Sequence, residues 1–288
     1  MKKLAIILII LAISLPVFAA AAAEQATTTT DYSSMSLEQL KAAITTVNKG
    51  KFTVATSPDF APYEFYAIAE DGTPTLAGFD MSLAQYIADF LGLELEVIPM
   101  DFDGTIMEVQ NKNVDAGLAG YSPAPERAEV MEFSSIYYTG GQSFVTTKAN
   151  ADKFKSLEDT NKKEVSVAAQ VGSIQMGLAS TYSPNADIIA LSKVTDIIAE
   201  LLTGKIDGAY IETVVAQSYQ QNYPDLEIVC AVPYDEEGSV VGISKGNRAL
   251  LEGVNRAIEQ ALSDGSMGAF VDEANIKASG NIIEGLLD

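Results

Sequence analysis

The chain has 288 residues and 48 % apolar content, enough for one large domain or two of ordinary size. Its 18 lysines and arginines stand against 39 aspartates and glutamates, a net charge of −21, which argues against nucleic acid or anionic membrane surfaces as partners. There is no histidine and a single cysteine, Cys230, so histidine-based triads, the usual zinc sites and a disulfide within the chain are excluded.

In chain order, residues 1–23 read as a cleavable signal peptide: Lys2 and Lys3 precede the apolar run "LAIILIILAISLPVFAAAAA", and any of Ala20 to Ala23 can end the cleavage site. An uncleaved membrane anchor is the alternative, since a span needs ~20 apolar residues. No cysteine lies near the cleavage region, so a lipid anchor on an acylated cysteine is not expected. Residues 24–49 read as a polar, threonine-rich flexible tether followed by a short helix in "SLEQLKAAITTVNKG".

Organised structure is predicted from Lys51. "KFTVATS" reads as a strand, followed by a turn-rich segment with Pro58 and Pro62. "GFDMSLAQYIADFLG" carries Met81, Leu83, Ala84, Ile87, Ala88 and Leu91 on one helical face, with Gly92 closing it. "LELEVIP" alternates as a strand, "DGTIMEVQNKN" is a short helix and "VDAGLAG" a small-residue strand. The order then repeats: strand "KEVSVAAQ", helix "SIQMGLASTY", strand "ADIIAL", helix "VTDIIAELLTGK", strand "IDGAYIE". The two units end alike, with Asp115 and Asp207 each after a β-branched residue and before small and apolar ones. Strand–helix alternation predicts parallel βαβ units with sites at the carboxyl ends of the strands. Two such units point to an α/β protein of two lobes with a cleft between them; one continuous sheet is the alternative. Neither common glycine-rich phosphate loop is present, and nothing points to a cofactor or a metal. Cys230, in the apolar run "LEIVCAV", reads as a core residue.

Arg127 raises a question of charge. It lies two residues behind Pro125 in "AGYSPAPERAEVMEFSS", where a cation at a helix N-terminus opposes the dipole. Either it is solvated and paired locally with Glu126 or Glu129, or it is held to meet an anion.

The motifs "ATSPDFAPYEF", "GFDMSLAQYIADFLG", "MDFDGTI", "NVDAGLAGYSPAPERAEVMEFSSIYY", "AAQVGSIQ", "IDGAYIETVVA" and "VVGISKGN", in this order, resemble the extracytoplasmic solute-binding proteins of polar amino acid ABC transporters. The resemblance covers roughly residues 51–256. It implies a type II periplasmic-binding-protein fold, with residues 50–140 and 238–288 in one lobe and 141–237 in the other. It also implies a monomer that delivers a free amino acid to membrane permease subunits. Arg127 matches the family's carboxylate-binding arginine, a role that suits its planar fork. Gly120 and Ser122 match positions that meet the ligand's ammonium and carboxylate, and Ser173 matches the second lobe's carboxylate contact. Glu212 matches the acid that pairs with the ammonium, although aspartate is more usual there. Phe60 and Phe102 match aromatic positions that would sandwich the ligand's side chain. Ser57 matches a position where some members carry an acid that meets that side chain, while Asp59 is expected to face solvent.

Two further departures touch the framework: Ser82 stands where a second acid is common, and the C-terminal end lacks tryptophan. Gly140, Gly141 and Gly238 sit where the chain would cross between lobes and absorb hinge rotation. The resemblance leaves the ligand open between a neutral polar amino acid such as glutamine and a cationic one such as arginine or lysine. Two rival roles remain: an exported cyclic-acid dehydratase on the same fold, and a ligand-sensing module for a membrane receptor.

Overall fold

The computed structural model describes residues 30–69, 71–235 and 238–279. The expected signal peptide, residues 24–29 of the expected tether and residues 280–288 lie outside the described residues. Among the described residues, no helix is long and apolar enough to cross a membrane.

From Tyr32 onward, the segment read as a tether is tied to the rest of the chain. The Arg256 guanidinium donates to the carbonyl oxygens of Tyr32, Ser33 and Met35. Helix α1 (Leu37–Ala43) opens with a capping box, Ser36 and Gln39 each bonding the other's backbone N–H. Strand β1 (Lys51–Thr56) follows. The proline-punctuated stretch after it holds β2 (Asp59–Phe60) and β3 (Glu64–Ile68), which with β4 (Pro74–Ala77) make a three-stranded antiparallel sheet. Helix α2 (Phe79–Leu91) buries all six residues of its predicted face, and Gly92 ends it at φ 73°. Gly78 is required at its start, because a Cβ there would lie 2.0 Å from the Tyr63 carbonyl oxygen. Strand β5 (Glu94–Pro99), helix α3 (Phe102–Asn111), strand β6 (Ala116–Tyr121), the one-turn helix α4 (Pro125–Ala128) and strand β7 (Met131–Phe133) follow.

After a first crossing come β8 (Gln142–Thr147), β9 (Ser166–Gln170), α5 (Ile174–Tyr182), β10 (Asp187–Leu191), α6 (Val194–Leu202), β11 (Gly208–Glu212), α7 (Thr213–Asn222) and β12 (Leu226–Val232). The chain returns through β13 (Val240–Ser244) and ends in α8 (Arg248–Ser263) and α9 (Ser266–Ala278).

Two five-stranded sheets result, ordered β5-β1-β6-β13-β7 and β10-β9-β11-β8-β12. In each, three parallel strands are joined by an antiparallel strand that has just crossed from the other half. The single-sheet alternative is therefore excluded, and the fold is two-lobed. The two crossings lie side by side, with Tyr138 and Ser239 paired in an antiparallel bridge. The repeated aspartates do the same work in each lobe. Asp115 donates its N–H to Thr53 O and accepts from Thr53 N, while Asp207 does the same with Ser166. Each carboxylate thereby fixes the register of its strand against the next. Cys230 on β12 is half-buried against a lobe-two cluster that includes Phe144, Phe154 and Tyr210, rather than fully in the core.

Candidate ligand-binding cleft

The carboxyl ends of β6, β9 and β11 converge on one cavity between the sheets, the place an open α/β topology reserves for ligands. Seven of the eight sequence-predicted residues line it: Phe60, Phe102, Gly120, Ser122, Arg127, Ser173 and Glu212. The eighth, Ser57, is buried outside the lining, and its hydroxyl donates to Asp59 Oδ1 at 2.9 Å.

Arg127 lies in the last turn of a four-residue helix, so the dipole conflict expected from sequence does not arise. It is 5 % exposed and turns into the cleft. Nη1 donates to Ser122 O and Nη2 to Gly172 O, each at 3.1 Å, the second bond spanning the two lobes. Its guanidinium carbon sits 5.3 Å from the Phe102 ring centre and 5.6 Å from that of Tyr121. These faces hold the guanidinium in place by cation–π attraction. Phe102 itself meets Tyr121 edge-on. Gly120 adopts φ +58°, and a Cβ there would come within 2.9 Å of Phe60 Cε1, so only glycine lets that ring lie over the turn.

On the second lobe, two predicted residues are helix N-caps. The Ser173 hydroxyl accepts from Met176 N and donates to Gln170 O, and the Glu212 carboxylate accepts from Val215 N at 3.0 Å. Helices α5 and α7 thus direct their N-terminal ends at the cavity. Glu212 also accepts from Gly141 N at 3.2 Å, and a Cβ on Gly140 would fall 1.9 Å from its Oε1. Burial raises the Glu212 carboxyl to about 7, against the opposing effect of the Val215, Val214 and Gly141 N–H groups.

Asp59 corrects the sequence reading. It is buried, not solvent-facing, and it bridges the lobes: Oδ2 accepts from Gln170 Nε2 at 2.9 Å and from Val194 N at 2.6 Å. Its carbonyl accepts from Tyr219 Oη at 3.0 Å. Burial pushes its carboxyl up to about 6, opposed by the Val194 and Ser57 donors. Sequence reasoning missed it because every second-lobe partner lies more than a hundred residues away.

The cavity also contains residues that the sequence did not single out. Tyr63 Oη and Ser239 Oγ are 3.1 Å apart, Gln175 Nε2 donates to Gln142 Oε1 at 2.8 Å, and Tyr234 Oη donates to Gly140 O at 2.8 Å. Gln170 and Gln175 both lie inside the quoted motif "AAQVGSIQ", which was the available signal. Among the described residues, no cluster of three or more acids or cysteines is placed to hold a metal.

Comparison with known proteins fits this geometry. The profile of the bacterial extracellular solute-binding proteins, family 3, matches residues 52–273. The arginine-binding extracellular protein ArtP of Bacillus subtilis is 31 % identical over 223 residues, covering 76 % of this chain and 84 % of ArtP. The amino acid ABC transporter substrate-binding protein AbpA of Streptococcus pneumoniae, solved bound to L-arginine, superposes with a TM-score of 0.77. It is 32 % identical, over 84 % of this chain and 99 % of AbpA. The cyclohexadienyl dehydratase of Pseudomonas aeruginosa is 26 % identical over 193 residues, covering 66 % of this chain and 69 % of the enzyme. The profile match over most of the chain places it in a family: this protein is a family 3 bacterial extracellular solute-binding protein.

Proposed function

We propose that the protein binds a free amino acid, L-arginine first among them, in the inter-lobe cavity and presents it to membrane ABC permease subunits. One observation carries the reading: a buried arginine from one lobe and a buried glutamate from the other line the same cavity. That pairing complements a zwitterion, whose carboxylate goes to Arg127, Ser122 and the α5 N-terminus, and whose ammonium goes to Glu212 and the Gly120 turn. Arginine is favoured by two similar proteins, ArtP, an arginine-binding extracellular protein, and AbpA, solved bound to L-arginine. The amide groups of Gln142, Gln170 and Gln175 suit a planar guanidinium, and the net charge of −21 repels an anionic ligand.

Binding works by closure. The Arg127–Gly172 and Asp59–Gln170 bonds join the lobes only when the cleft is shut, and a ligand bridging both lobes favours that state by its differential affinity. The protein acts as an exported monomer.

A dehydratase acting on a cyclic acid is the second reading, favoured by the Pseudomonas relative and by a buried glutamate whose carboxyl sits near 7, suited to general acid work. A ligand ammonium would return that glutamate to its carboxylate form, so the two readings require opposite protonation. A thermal-stability screen against the twenty amino acids and a set of cyclic carboxylic acids separates them. A ligand at a hundred times its dissociation constant adds roughly 2.7 kcal/mol. Stabilisation by arginine without turnover supports the binding reading; stabilisation by a cyclic acid alone, with product formed, overturns it.

A further inference from the structure

Two carboxyl groups lie together in the core of the first lobe, and the binding scheme uses neither. Glu64, on β3, is fully buried, and among the described residues neither of its oxygens meets an N–H or hydroxyl donor. Asp80, the second residue of α2, is also fully buried. Its Oδ1 accepts from Tyr137 Oη at 2.7 Å and its Oδ2 from Gly120 N at 3.0 Å. Asp80 N donates to the carbonyl oxygen of Tyr63, the residue before Glu64, at 2.9 Å, so the two acids leave neighbouring backbone, and the charge of Asp80 adds to burial in raising the Glu64 carboxyl.

The titratable groups that bear on this pair are Asp59 from β2, Tyr121 from β6, and Tyr63 and Tyr137 beside it. Of these only Asp59 carries charge, and it is negative; Arg127 reaches the neighbourhood only through Tyr121. Two adjacent carboxylates in an apolar site cannot both ionise. Asp80 has two donors and a place in the first turn of a helix, which favours an anion. An ionised Glu64 would be a buried charge with no donor. The proton therefore sits on Glu64, driven well above the usual carboxylate range by burial and by Asp80.

Gly120 links this pair to the cleft. Strands β6 and β13 slip register here, with Gly242 opposite Gly117 but Val240 opposite Tyr121. The slip takes the Gly120 N–H out of the ladder, and a buried backbone donor needs another acceptor. Asp80 supplies it. We infer that Glu64, as a neutral acid donating to the Asp80 carboxylate, is a positioning residue that locks the Gly120 turn of the amino-acid site. This rests on the binding reading above.

The test joins spectroscopy and calorimetry on the purified protein. Infrared spectra of ¹³C-glutamate-labelled protein should contain an isotope-shifted protonated-carboxyl band at neutral pH, which persists in Glu212→Gln and disappears when Glu64→Gln is added to Glu212→Gln. Glu64→Gln, whose amide still donates to Asp80, should keep its arginine affinity within about threefold, because the bond to Asp80 is retained. Asp80→Ala, which removes the acceptor for Gly120, should bind arginine roughly tenfold or more weakly, the order set by an unsatisfied buried donor. Absence of the band from Glu212→Gln, whatever the other variants do, overturns the proton assignment. Undiminished binding by Asp80→Ala overturns the positioning role alone. Failure of the wild-type protein to take up arginine overturns the reading on which both rest.

Discussion

Glu212 makes ligand binding a proton-linked event. Burial in the closed cleft, the first cause, pushes its carboxyl up to about 7 and favours the neutral form. A bound ammonium requires the carboxylate, so binding below that value must expel a proton. With a bound-state value below the ordinary ~4.3, the affinity for the closed cleft scales as its ionised fraction before the ammonium enters. That fraction is about one tenth at pH 6 and about nine tenths at pH 8, a difference of about tenfold or ~1.3 kcal/mol. Calorimetry in buffers of different ionisation enthalpy should count about 0.9 proton released at pH 6 and about 0.1 at pH 8. Glu212→Gln should bind more weakly and lose both the slope and the release. The sign for stability is the reverse. A raised carboxyl stabilises the fold below its unfolded value, and that contribution is lost as pH rises from ~4.5 to about 7, on the order of 3 kcal/mol. An affinity that is flat from pH 6 to 8, with no proton release, would refute the pairing of Glu212 with the ligand ammonium.

Other substitutions test other parts of the account. Gly120→Ala places a side chain at φ +58° against the Phe60 ring, and should cost about 1–3 kcal/mol of stability in chemical denaturation along with part of the affinity. Asp59→Asn keeps the volume but replaces a carboxylate oxygen that accepts two second-lobe donors. Stopped-flow fluorescence should then report faster ligand release, with affinity weakened by about 1–3 kcal/mol. Arg256→Ala should free the segment from Tyr32 to Met35 in hydrogen exchange while leaving arginine affinity unchanged, since those bonds lie away from the cleft.

Local periodicity made much of the framework legible. The α2 face was readable because its apolar spacing follows the helical repeat and Gly92 marks its end. The paired aspartates at 115 and 207 were visible as an internal echo, and the structure explains it through the same strand-register contact in each lobe. The sheet of β2, β3 and β4 was not legible, because Pro58 and Pro62 signal turns and its strands are short. Helix α8 carried a readable signal outside the strand–helix repeat, since Leu250, Val254, Ala257, Ile258 and Ala261 bury one face behind the Asn247 cap. The site divides in the same way. Arg127 and Glu212 were found by motif, whereas the Asp59 bridge and the Asp80–Gly120 bond join distant segments that no local pattern connects.

The central claim is that the cleft holds a zwitterion between Arg127 and Glu212. The most direct test is calorimetric titration of wild-type protein and Arg127→Ala with L-arginine and with its decarboxylated analogue. The account predicts that wild-type protein strongly prefers arginine, by roughly the 2–5 kcal/mol that attends loss of one partner from a buried charge pair, and that Arg127→Ala erases the preference. Equal binding of the two ligands by the wild-type protein would contradict it.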